Sequence, residues 1–377
     1  MTRLTPRERR ALLLAGVLYA AVAIPVGIRR GGDLEVHFTA ARLWLEGLPL
    51  YAHPPRVGAW WPPLAVLLVV PFAVVAQWSA ALAKAAWVGG SMLCLGGSIV
   101  RLPRDHWKPV ALAVAAVAVP LHRNFEDLNL NAVLLLLLIL AAGELARGRE
   151  GRAGMWIGVA AALKVFPAVW LLYLGYRGRW RGLVIGVAVA AALTIAPLLR
   201  YGVGGADVAA RDWLGNSAAV AWTPLGSNQS LAALAVRLHV AGWGVAALDL
   251  ACVALALVAL RRPKITEATF EGLGVVGLIA VLVSPIAWVH YFLFAFPVWL
   301  ITLRLPRQRW GRGWTVALWV AGFATSGIAT VWSVPLRDAL FEFAPYTWGT
   351  LLLLCVVAFA PRSPVQALAG HPASDIT

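Results

Sequence analysis

The stretch Ala153-Gly154-Met155-Trp156-Ile157-Gly158-Val159-Ala160-Ala161-Ala162-Leu163-Lys164-Val165-Phe166-Pro167-Ala168-Val169-Trp170-Leu171-Leu172-Tyr173-Leu174-Gly175-Tyr176 is one membrane helix by length. Its flanks contradict that reading. Arg147, Arg149 and Arg152 precede it, and Arg177, Arg179 and Arg181 follow it. A single crossing would place those clusters on opposite sides of a bilayer, whereas basic loops collect on the cytoplasmic side. The run is therefore expected to form a hairpin of two short helices, 153–163 and 167–176, turning at Lys164-Val165-Phe166-Pro167. An ammonium held there costs about 2.5–3.5 kcal/mol on insertion scales, which makes Lys164 a functional candidate. The plainer reading is a side chain that snorkels to the interface.

The same punctuation runs through the chain. Of 377 residues, 61% are hydrophobic and 13% charged, which is too little polar surface for a soluble protein of this length. The formal charge is +15, but the basic residues recur in short runs between apolar segments rather than on one face. That is the pattern of cytoplasmic membrane loops, and nucleic-acid binding is not expected. Spans are drawn at 11–28, 79–100, 109–121, 132–146, 153–163, 167–176, 182–199, 241–260, 270–284, 286–303, 313–331 and 346–361. The expected fold is an all-α polytopic membrane bundle of about twelve transmembrane helices. Both termini are expected in the cytoplasm, with a single domain over 1–361 and a disordered cytoplasmic tail over 362–377. Arg3, Arg7, Arg9 and Arg10 ahead of the first apolar run read as a retained signal anchor. The segment 61–76 opens with Pro62-Pro63 and contains Pro71, so a re-entrant or surface helix is expected there. Cys94, Cys252 and Cys355 lie inside apolar runs and read as unpaired core residues.

Under this topology polar residues gather on the extracytoplasmic side, in 29–61, 122–131, 200–229 and 333–346. Asp33 is a carboxylate at the point where the chain leaves the bilayer. It is a candidate for chemistry, against the plainer reading of a loop charge balancing Arg29 and Arg30. Glu35 shares its face on an extended segment and diverges from it on a helix. His290 stands between Trp288 and Tyr291, as a member of an interfacial aromatic belt would. Asn228-Gln229-Ser230 follows a loop and reads as a helix cap, and Arg237 behind it suits an anion or a lipid headgroup. Asp127, Asn129 and Asn131 form a polar hairpin tip whose plain reading is a loop. The chain has no phosphate-binding Gly-Lys-Ser/Thr loop, no paired Cys/His metal spacing and no nucleophile elbow. A transporter or flippase also fits broken helices and an intramembrane lysine, but it should show related halves and polar residues through the midplane.

These segments, taken in order, resemble glycosyltransferase family 87 of the GT-C superfamily. Asp33-Leu34-Glu35-Val36-His37 with Ala40-Ala41, Gly47 and Tyr51 is similar to its "D-x-x-V-Y … A-A … G … Y" element, and Trp61-Pro62-Pro63-Leu64 to its "Y-P-P-L". Lys164-Val165-Phe166-Pro167 matches "K-x-x-P". Asn228-Gln229-Ser230-Leu231 with Arg237 matches "N-Q-S-L … R", and Ser284-Pro285 with Trp288 and His290-Tyr291 matches "S-P-x-S-W-x-H-H". The chain departs from the family in three places. Leu128-Asn129-Leu130-Asn131 stands for "G-Q-x-N", His37 for a tyrosine, and Tyr291 for a second histidine. The resemblance implies a GT-C-like bundle in the plasma membrane with its site on the extracytoplasmic face. It implies transfer of mannose from a polyprenyl-phosphate donor to a glycolipid or glycan acceptor, with arabinofuranose as the alternative sugar and no metal or other cofactor. Asp33 is then the general base and His290 its catalytic companion, with Lys164, Arg237 and His290 placed to offset phosphate charge. Asn131, Asn228, Gln229, His37, Tyr51, Trp288 and Glu35 are the remaining expected substrate contacts.

Overall fold

The computed structural model describes residues 5–30, 32–51, 60–102, 107–220, 226–240, 242–261, 269–304, 312–331 and 333–359. The predicted cytoplasmic tail therefore lies outside the described residues. Among the described residues every regular element is helical, and the one β-bridge is isolated, joining Asn228 to Trp288. Four stretches are long and apolar enough to cross a membrane: Pro6–Arg30, Ala80–Arg101, Trp180–Ala219 and Gly242–Leu260. Val334–Glu342 and Pro345–Phe359 form a fifth if taken as one stretch, bent by 59°. The protein is a multi-pass membrane protein.

The other expected spans are shorter helices. Asn131–Ala146 has 16 residues and Glu150–Leu163 has 14, which at about 1.5 Å per residue falls short of a hydrocarbon layer of about 30 Å. The segment expected as one span over 109–121 is two helices, Trp107–Ala116 and Ala118–Glu126. The Ala116 carbonyl at the break accepts from the Thr325 and Ser326 hydroxyls at 3.1 and 2.7 Å. Those hydroxyls sit in a π-helical turn, Phe323–Gly327, so side chains of one irregular turn satisfy the carbonyl at the other. The polar stretch expected over 200–229 holds a 19-residue helix, Gly202–Val220, which continues from Trp180. The segment expected as a short loop after Ser333 is the helix Val334–Glu342.

One apolar cluster runs from Ala23 to Ala358 and joins nearly all of these helices. Close backbone approach tightens it where Glu150–Leu163 crosses Trp180–Ile195. A Cβ at Gly154 or Gly158 would collide there with the backbone of Gly182 or Gly186. Four features position the site. They are the junction of α1 (Pro6–Arg30) with α2 (Gly32–Leu45), and the turn between helices Ala118–Glu126 and Asn131–Ala146. The other two are the end of helix Glu150–Leu163 and the 3-10 segment Val289–Ala295.

Candidate active site

Gly32 makes the corner that delivers Asp33. Its φ is +58°, and a Cβ there would overlap the Asp127 carbonyl, so the position demands glycine. The corner lets the Asp33 N–H donate to the Asp127 carbonyl at 2.9 Å. Asp33 and Glu35 both lie in the first turn of α2, where the helix dipole favours a carboxylate. Asp33 Oδ2 accepts from Asn129 Nδ2 at 2.6 Å. Asn129 Oδ1 accepts from Lys164 Nζ at 2.9 Å, and Asn131 Oδ1 accepts from the same ammonium at 3.1 Å. Asn131 Nδ2 donates to the His290 carbonyl at 2.9 Å, and His290 Nδ1–H donates to Asp127 Oδ2 at 2.9 Å. The six residues thus close a circuit that returns to Asp33 through the Asp127 backbone.

Lys164 is reached as the hairpin reading requires. Glu150–Leu163 stops at Leu163, Lys164 itself is extended (φ −156°, ψ 137°), and a 3-10 turn over Phe166–Ala168 starts the return. Its ammonium also lies 3.8 Å from the Tyr291 ring centroid, a cation–π contact. Two amide oxygens and a ring face surround its ammonium; burial pushes Lys164 down to about 7, while Asp33 favours its charged form. Asp33 feels that charge. Burial pushes its carboxyl above the usual carboxylate range and Asp127 adds to the rise, while His290, Lys164 and the Asn129 hydrogen bond pull it back. A carboxylate base gains proton affinity from such a rise. His37 stands one turn along α2 from Asp33 and is fully buried. It is stacked on Trp61 with ring centroids 3.9 Å apart. Burial first, and then Lys164, push its imidazole down to about 3, which keeps it neutral. Neither of its ring nitrogens has a protein hydrogen-bond partner, and the same holds for His290 Nε2.

A family model described as glycosyltransferase family 87 matches residues 60–285, more than half of the chain. The chain belongs to glycosyltransferase family 87. It is 30% identical over 371 residues to a polyprenol-phosphate-mannose-dependent alpha-(1-2)-phosphatidylinositol mannoside mannosyltransferase of Mycolicibacterium smegmatis, covering 87% of this chain and 81% of the relative. A Mycobacterium tuberculosis protein of the same description is 28% identical over 331 residues, covering 77% and 74%. An alpha-(1->3)-arabinofuranosyltransferase of Corynebacterium glutamicum is 24% identical over 369 residues, covering 92% and 85%. No solved structure matches. Lys164 and the 127–131 turn lie inside the matched region of this family 87 glycosyltransferase, with Asp33 and His290 flanking it on either side.

The remaining expected residues of the family 87 chain fall outside the circuit. Glu35 diverges from Asp33 on the helix and accepts from Lys84 Nζ at 2.5 Å, and Lys84 also donates to the Ile28 carbonyl at 3.1 Å. Glu35 therefore ties α1 and α2 to Ala80–Arg101. Tyr51 donates its hydroxyl to the Trp61 carbonyl at 2.8 Å and receives Asn216 Nδ2 on its own carbonyl at 3.0 Å. Asn228, Gln229 and Arg237 form a knot. Asn228 Oδ1 accepts from the N–H groups of Ala287 and Ser230 at 2.9 and 3.2 Å. Gln229 Nε2 donates to the Phe341 carbonyl at 3.0 Å, and Arg237 donates to the carbonyls of Glu342 and Asn228 at 2.8 and 2.9 Å. Trp288, half-buried, pairs across the backbone with Asn228 just ahead of His290. These bonds fix the segment that carries His290, and none of them reaches Asp33. Asp127 and Asn129, read from sequence as a loop tip, are full members of the circuit. The signal for them was the polar alternation Asp127-Leu128-Asn129-Leu130-Asn131. Among the described residues no three His, Cys, Asp or Glu side chains converge as metal ligands.

Proposed function

We propose that the protein transfers a mannosyl residue from polyprenyl-phosphate mannose to a hydroxyl of a glycolipid of the phosphatidylinositol-mannoside type. The observation that carries this reading is the buried circuit in which Asp33, Lys164 and His290 share asparagine and backbone partners. The acceptor oxygen attacks the anomeric carbon, and the bond from that carbon to the phosphate oxygen breaks with its electrons going to the phosphate. The hydroxyl proton passes to Asp33. General-base help of this kind contributes about 10²–10⁴-fold, and Lys164 in its charged form offsets the charge that grows on the phosphate. The second carboxylate of the site, Asp127, is engaged with His290. That leaves one base and favours a single displacement with inversion, from a β-linked donor to an α-linked product.

The location of the circuit supports an extracytoplasmic reaction at the plasma membrane. It lies at the C-terminal ends of α1 and of Glu150–Leu163 and at the N-terminal end of Asn131–Ala146, while the arginines at 7, 9, 10, 147, 149 and 152 mark the opposite ends of those helices. A lipid-linked donor also suits an apolar groove of about 500 Å³. Leu112 and Ala116 border it on the segment leading into Asp127, and Trp299 and Leu303 border it on the segment leaving His290. Mannose is favoured over arabinofuranose by the relatives, 30% and 28% identical against 24%. The test presents the purified protein with a phosphatidylinositol mannoside and either polyprenyl-phosphate mannose or polyprenyl-phosphate arabinofuranose, and reads the product linkage by NMR. An α-mannosyl product is expected. Arabinosyl transfer alone would replace the sugar, a β-mannosyl product would overturn inversion, and no transfer from either donor would favour a transporter.

A further inference from the structure

Asp127 is the residue of the circuit that touches both candidate catalytic groups. Its carbonyl receives the Asp33 N–H, and its carboxylate receives His290 Nδ1–H, each at 2.9 Å. The turn around it is built to hold that double contact. Gly32 has room for no side chain against the Asp127 carbonyl, and Leu128 takes a left-handed φ of 52° although it is neither glycine nor asparagine. Such a conformation is strained for a bulky residue, and Leu128 is held in it by complete burial of its side chain. His290 is likewise buried, and Nε2, the nitrogen turned away from Asp127, has no protein partner.

We propose that Asp127 is the positioning residue of this site, its backbone holding Asp33 and its carboxylate turning His290 so that Nε2 meets the leaving phosphate of the lipid-linked donor. The proposal rests on the glycosyl-transfer reading above and adds to it the division of labour between the two carboxylates. A carboxylate can only accept, so Nδ1 carries the proton of that bond, and the doubly protonated form of the ring is the one that offers Nε2–H to the leaving phosphate. In the displacement the hydroxyl proton goes to Asp33 and the electron pair of the broken bond goes to the phosphate. His290 keeps both of its protons and donates a hydrogen bond whose strength rises with the phosphate charge. Asp127 touches neither substrate.

The test measures binding of polyprenyl phosphate, the leaving group itself, together with mannosyl transfer. The proteins are the purified wild type, Asp127→Ala, Asp127→Asn, His290→Ala and the Asp127→Ala/His290→Ala double variant, with thermal melting as the check on folding. Each alanine variant is expected to bind polyprenyl phosphate about tenfold or more weakly. The double variant is expected to lose no more than His290→Ala alone, because the two side chains act as one. Asp127→Asn keeps an oxygen for Nδ1–H and should recover part of the loss, with kcat falling and KM for the acceptor unchanged. Additive losses, or Asp127→Ala binding like wild type, would overturn the positioning role while leaving the transferase reading intact. Wild type that fails to bind polyprenyl phosphate would overturn both.

Discussion

Two polar regions of this molecule share an origin in short asparagine-containing motifs and differ in what they leave open. In the knot around Asn228, Gln229 and Arg237, side-chain oxygens and N–H groups are engaged by backbone from 285–288 and 341–347. In the circuit around Asp33, the asparagines and the lysine are equally engaged, yet His37 and His290 keep buried ring nitrogens with no protein partner. A buried polar atom without a partner costs about 1–3 kcal/mol, and such a cost persists where a ligand supplies the missing bond. Under the function proposed above, the contrast divides residues that hold a site from residues that face a substrate, a distinction that motif membership does not make.

Four substitutions probe that contrast, in falling order of effect. Lys164→Met removes the buried cation from beside Asp33, takes one of two donors from the Asn129 oxygen and removes the lysine donor of the Asn131 oxygen. Transfer should fall by about 10²–10³-fold, with about 3–5 kcal/mol of stability lost in denaturant titration. A Lys164→Met protein that stays stable and active would show that the lysine only fills space. Asn228→Ala strips the acceptor from two buried N–H groups and should cost about 1–3 kcal/mol for each. The surviving folded enzyme should keep its turnover, and a large kcat defect with normal melting would move Asn228 from the knot into the site.

The third is a pH measurement. Because burial raises the Asp33 carboxyl, activity should climb with pH through a limb above the ordinary aspartate value of about 3.9. Asn129→Ala removes a bond to the charged form and should carry that limb to still higher pH. The sign extends to stability. A carboxyl raised by folding contributes most below its unfolded value, and that contribution is lost as pH rises through the folded value. A limb unmoved by Asn129→Ala would detach Asn129 from the base. The smallest effect is expected from Glu35→Gln, whose side chain is 57% exposed and which can still accept from Lys84. Transfer should be unchanged and stability should shift by about 0–1 kcal/mol; a catalytic defect would return Glu35 to the site.

How far the sequence carried depended on how local the physics was. The helix positions were legible because an apolar run needs only composition to be recognised. The Lys164 turn was legible because basic clusters on both sides of 153–176 forbid a single crossing. Whether Asp33 and Glu35 share a face depended on helix against strand, and the corner at Gly32, which starts α2 directly, makes them diverge. The roles of Asp127 and Asn129 were hidden for a different reason. Residues two apart resemble a solvated turn until the left-handed Leu128 folds them against His290 and Lys164, and nothing in the string states that a leucine will take that conformation. The break within 109–121, where one expected span is two helices meeting at Ala116, carries no such compositional mark. His37, a departure from the family's tyrosine, keeps the aromatic packing through Trp61 and adds two buried nitrogens one turn from Asp33.

The most direct test of the central claim, that Asp33 is the single base of a lipid-linked glycosyl transfer, is single-turnover mannosyl transfer by wild type and Asp33→Asn, with polyprenyl-phosphate binding measured in parallel. The amide keeps the shape and an oxygen for Asn129 but accepts no proton. The predicted result is a loss of about 10²-fold or more in the transfer step with binding preserved; transfer by Asp33→Asn at the wild-type rate would contradict the account.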